Sequence, residues 1–152
     1  IDSIVRESHF EIIKGTDFKG AIIPADYEVN FNKDQLAHRF TPTREDIIEA
    51  EIALTENYNK SMKNDSRVYG FKKVKNVRSH FNNYIRQYLG YVNEKGERII
   101  WIQLVQYERL QKELDNIQLD WKSEIISGLG DVFYENITIL AYNKNRDKLM
   151  IW

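Results

Sequence analysis

Tyr84-Ile-Arg-Gln-Tyr-Leu-Gly-Tyr-Val-Asn-Glu-Lys-Gly-Glu-Arg-Ile-Ile-Trp-Ile-Gln-Leu-Val-Gln106 is the stretch whose reading decides the fold. Two apolar-rich arms meet at Asn93, Glu94, Lys95 and Gly96. A glycine closing such a loop adopts positive φ without steric cost, so the segment reads as a β-hairpin. Of two registers, one pairs Val92 with Glu97; the preferred one inserts Gly96 as a bulge. The bulge sets Val92 opposite Arg98, Tyr91 opposite Ile99, Leu89 opposite Trp101, Ile85 opposite Val105, and Gln87 beside Gln103. In either register Ile99, Ile100, Trp101, Ile102, Leu104 and Val105 make a strand apolar on both faces, which belongs mid-sheet with cover on both sides.

Working outward, Thr43 follows Pro42 and precedes Asp46 by three positions, a helix start in which the hydroxyl accepts from an early amide. Ile47, Ala50, Leu54 and Tyr58 then recur at spacings of three and four, flanked by Ile48 and Ile52, with Glu45, Glu49, Glu56 and Lys60 on the other side. This helix is expected to stop near Asn64 or Asp65. Before it, residues 10–13 and 21–23 read as short strands or extended arms. After it, residues 63–83 form a polar, basic connector with a short strand near 74–77. Leu110, Leu114 and Ile117 place a short helix within 107–120; strands are expected at 121–126, 132–142 and 148–152.

The expected fold is therefore α+β: one long N-terminal helix packed on a four- to five-stranded antiparallel sheet, in a single domain spanning 1–152. Residues 1–40 would be an N-terminal arm or short strands, and residues 41–152 the helix plus antiparallel meander. Three stretches carry a resemblance: Thr41-Pro-Thr-Arg-Glu-Asp-Ile at the helix start, the hairpin itself, and Gly130-Asp-Val-Phe before the expected long strand. Together they resemble a family of small uncharacterised bacterial secreted or envelope proteins with a cystatin-like or NTF2-like fold. That resemblance implies a fold and an envelope address, secreted or periplasmic, and no catalytic residue.

The 152 residues are 42% hydrophobic and 30% charged, globular values, and the formal net charge of −1 gives no overall attraction to nucleic acid or anionic membrane. Without cysteine there is no disulfide or thiolate metal site. No run approaches the ~20 apolar residues that cross a bilayer. Because the first residue is Ile1, a removed upstream segment is expected, with a secretion signal or lipid anchor favoured.

No pattern of comparable quality carries chemistry. Lys72, Lys73, Lys75 and Arg78, with Arg86 and interleaved aromatics, form a basic stripe of the kind that contacts phosphates, although a solvated connector is the commoner meaning. The acidic side chains Glu45, Asp46, Glu49, Glu51 and Glu56 read as exposed helix surface, and His9, His38 and His80 lack the spacing of paired metal ligands. Arg86, Tyr88, Trp101 and Gln103 are the candidate ligand-binding residues, on the supposition that a concave sheet face gathers them into a pocket. The resulting expectation is a non-catalytic binding or assembly module of the cell envelope with no cofactor and no metal, recognising a protein partner or a second copy. The rivals are an enzyme on an NTF2-like pocket using Asp131, Glu135 or His80, and a phosphate or nucleic-acid binder acting through residues 63–86.

Overall fold

A computed structural model describes residues 9–29, 38–63, 84–127 and 130–152. The hairpin forms as its pattern requires: β4 (Ile85–Val92) pairs antiparallel with β5 (Arg98–Val105) in the bulged register, with Val92 opposite Arg98 and Gln87 opposite Gln103. Gly96 has φ +77° and donates to Asn93 O at 3.0 Å, while Asn93 Oδ1 accepts from the Lys95 and Glu97 amides. The turn is thus held by its own side chain.

The rest of the sheet departs from expectation. Among the described residues seven strands, not four or five, assemble in the order β1 (Glu11–Lys14), β2 (Lys19–Ile22), β4, β5, β6 (Ile137–Asn143), β7 (Lys148–Ile151), with β3 (His38–Phe40) also on β4. The long helix α1 (Arg44–Lys63) follows β1, β2 and β3, so it is not N-terminal to the sheet. One pairing, β2 with β4, is parallel. Because β5 occupies one edge of β4 along its whole length, β2 and β3 share the other, pairing with residues 85–88 and 90–92 respectively. A buried strand must satisfy its amides and carbonyls on both edges, and that requirement recruits β2 and β3, from residues 19–22 and 38–40, into the sheet.

Two further expectations fail. Residues 131–136 are not strand: α3 (Asp131–Asn136) precedes β6. The β5 ladder ends with Val105 opposite Ile137, so no strand is left for 131–136 to pair with, and local helical bonds satisfy the backbone instead. Residues 121–126 are a turn and loop, because Asp120 O accepts from Ser123 and Glu124 amides and Asp120 Oδ1 from Lys122. Residues 107–120 do contain a helix, α2 (Tyr107–Asn116). The expected strand near 74–77 and the helix end near 64 lie outside the described residues.

The sheet is covered on both faces. On one, Ile47, Ala50, Leu54 and Tyr58 of α1 pack on Tyr88, Ile100, Ile102, Leu140 and Tyr142. On the other, Leu110 and Leu114 of α2, Trp121, Ile125, Ile126 and Phe10 cover Leu89, Ile99, Trp101, Val105 and Ala141. Period-two alternation along β5 sends Ile100, Ile102 and Leu104 one way and Ile99, Trp101 and Val105 the other.

The start of α1 is a reciprocal cap: Asp46 N donates to Thr43 Oγ1 at 3.1 Å and Thr43 N to Asp46 Oδ2 at 2.9 Å. Lys144, from the β6–β7 turn, pairs with the same carboxylate. Burial raises the Asp46 carboxyl, but the Lys144 and Thr43 bonds outweigh it and the net position is below the ordinary aspartate value.

Candidate functional site

The same alternation separates the four candidate ligand-binding residues. Arg86 and Tyr88 point toward α1, whereas Trp101 and Gln103 point toward the α2 side, so they do not share a pocket. Trp101 is core, fully buried and edge-on to Trp152 with centroids 6.1 Å apart. Gln103 is structural: its amide donates to Gln87 Oε1 and to Ile126 O, both at 3.0 Å. Gln87 in turn donates to the Trp121 and Glu124 carbonyls and accepts from Ile126 N. Two neighbouring amides on the sheet thereby fasten the 121–126 loop over the second face.

Arg86 and Tyr88 meet a residue that the sequence reading placed on the exposed face of the helix. Glu51 is buried, 6% exposed, and its Oε2 accepts from Tyr88 Oη at 2.7 Å and Arg86 Nε at 3.2 Å. Arg86, 1% exposed, also donates to Tyr84 O at 2.8 Å, so it is not part of a solvated basic stripe. Burial pushes the Glu51 carboxyl up, opposed by the Arg86 charge and the two hydrogen bonds; burial beside that carboxylate pushes the Tyr88 phenol well up. The one sequence signal for Glu51 is its phase. It stands four residues after Ile47 and three before Leu54, on the apolar side of α1.

Glu51 and Arg86 of this trio line a cleft of about 320 Å³ between α1 and the β1–β2 turn, together with Thr16, Asp17, Phe18, Ile48, Ile52, Thr55 and Glu56. Phe18 reaches the cleft wall because Gly15 leaves room: a Cβ there would sit 2.0 Å from the Phe18 ring. The Arg86 guanidinium stands 5.9 Å from that ring. Ile48 and Ile52, one helical turn apart, remain 48% and 54% exposed at the rim.

A second cleft, about 420 Å³, opens between the β4–β5 and β6–β7 turns, lined by Tyr91, Asn93, Glu97, Asn143, Arg146 and Met150 among others. Although it is larger, four of its polar residues are bonded to one another: Asn93 Nδ2 donates to Glu97 Oε1, Arg146 pairs with Glu97, and Asn143 Oδ1 accepts from Arg146 N. It reads as a junction between turns.

Of the other candidates, Lys72, Lys73, Lys75, Arg78 and His80 lie outside the described residues. Asp131 and Glu135 are exposed on α3 and do not enter either cleft. Asp46 and Glu51 are buried, contrary to the reading of the acidic set as surface, while Glu45 and Glu56 are exposed as expected. His9 contacts Ser123 Oγ at 2.8 Å, and no cluster of metal-ligating side chains occurs among the described residues. No described helix is long and apolar enough to cross a membrane. In comparisons with protein families, curated proteins and solved structures, nothing matches this chain.

Proposed function

We propose that the chain is a non-catalytic binding module whose binding site is the cleft between α1 and the β1–β2 turn. One observation carries this reading: Glu51 and Arg86, bonded with Tyr88 in a buried network, line the same cleft as two exposed isoleucines. A buried ion pair rarely stabilises more than well-packed apolar residues would, so its stability contribution does not account for its position. What it does supply is a rigid polar lining with fixed side-chain geometry beside apolar side chains, the combination found in recognition sites. The envelope address belongs to the same proposal and is supported by the sequence resemblance over 41–152.

A fragment screen read by ¹H–¹⁵N NMR on the full chain tests the site. Saturable shifts should gather on the amides of residues 16–18, 48, 52, 55 and 56. Hits gathering instead around Tyr91, Asn93 and Arg146 would overturn the assignment.

A further inference from the structure

The charges around the cleft determine what it can accept. Among the described residues Arg86 is the one cation lining it, and its guanidinium faces the Glu51 carboxylate and the Tyr84 carbonyl at 1% exposure. Such a group is not an anion receptor. The two remaining charged linings, Asp17 on the β1–β2 turn and Glu56 on α1, are both exposed and both acidic. The same lining holds the exposed Ile48 and Ile52 and the half-buried Phe18. The described surface thus joins apolar side chains to two exposed carboxylates, although the chain as a whole is almost neutral at −1.

Openness narrows the class further. A discrete small molecule is normally enclosed over most of its surface. Here the two isoleucines are half exposed and aligned along the helix, which suits an extended or helical segment lying against α1. Resting on the binding role proposed above, we infer that the cleft takes a basic, aliphatic peptide segment of a protein partner. Its leucine-like side chains cover Ile48, Ile52 and Phe18, and its lysine or arginine side chains reach Asp17 and Glu56. Anionic ligands, phosphates included, are repelled.

The probes are Ac-Leu-Lys-Leu-Lys-Leu-NH₂, the same peptide with glutamate in place of lysine, and hexylammonium, each titrated into the ¹⁵N-labelled full chain. The lysine peptide should shift the Phe18, Ile48 and Ile52 amides saturably, and should weaken as salt is raised past the point where the screening length falls to about 3 Å, near 1 M. Two exposed charge pairs account for an affinity loss of about two- to twentyfold in the Asp17→Asn, Glu56→Gln double variant. Both positions are on the surface, so unchanged circular dichroism will show that the variant folds.

Equal binding of the glutamate peptide, or an unaltered affinity in the double variant, overturns the basic-ligand inference while leaving the cleft as a binding site. Hexylammonium binding as tightly as the peptide would replace the protein partner with a free amine. Silence of these amides with every probe overturns the inference, and fragment hits elsewhere would then overturn the cleft as well.

Discussion

Removing the Glu51 side chain is the most direct perturbation of the cleft lining. In Glu51→Ala the Arg86 guanidinium, 1% exposed, loses its carboxylate at 3.2 Å and keeps the Tyr84 carbonyl, while the Tyr88 hydroxyl loses its acceptor at 2.7 Å. Breaking a buried ion pair by removing one partner costs about 3 to 5 kcal/mol, well above the roughly 0 to 1 kcal/mol of an exposed ion pair. For a chain of this length that corresponds to a fall in Tm of about 2 to 4 °C per kcal/mol. Urea unfolding followed by tryptophan fluorescence and by far-ultraviolet circular dichroism measures the difference, with coincident transitions as the check on two-state behaviour. The companion variant Glu51→Leu, Arg86→Met, Tyr88→Phe replaces all three side chains of this network at once. It should recover to within about 1 to 2 kcal/mol of the native chain, because apolar side chains of similar volume replace buried ion pairs at little cost. A loss under about 1 kcal/mol in Glu51→Ala would mean that the Glu51–Arg86 pair does not hold this part of the core, and its assignment as the polar anchor of the cleft would have to be abandoned.

Four other outcomes follow from the same geometry. Trp101→Ala, at a fully buried position, should cost about 3 to 5 kcal/mol in urea melts; less than about 1 would contradict its place in the second core. Gln103→Leu strips a donor from Ile126 O and should cost about 1 to 3 kcal/mol, with faster hydrogen exchange at the Ile126 amide as the local signature. Gly96→Val should destabilise by more than Gly96→Asn, since φ is +77° with open space around it, making backbone conformation and not crowding the cause; equal losses would point to another reason. Asp46→Asn tests linkage. The native carboxyl lies below its unfolded value, so its contribution is present above the unfolded pKa and is lost as pH falls through the folded one. The gap between native chain and variant should therefore narrow in acid, and a gap independent of pH would refute the Lys144 and Thr43 assignment.

The features legible beforehand are the local ones. The bulged register follows from Asn93 and Gly96 within five residues of each other, and the start of α1 from Thr43 and Asp46 three apart. The double-faced apolar character of β5 was equally plain, and both of its faces are covered. By contrast, the candidate site mixed residues from opposite faces. Arg86 and Tyr88 lie on the α1 side against Glu51, whereas Trp101 and Gln103 belong to a separate core and a loop clamp.

By itself the sequence determined which segments turn, which alternate and where the long helix begins, because turn chemistry, period and capping act between residues a few positions apart. Tertiary structure alone decided that residues 11–14, 19–22 and 38–40 join the sheet, that residues 131–136 coil where β5 has ended, and that Glu51 descends onto an arginine 35 positions away. Those outcomes depend on which distant backbone edge or buried charge is left to satisfy, a quantity that exists only once the chain has closed on itself.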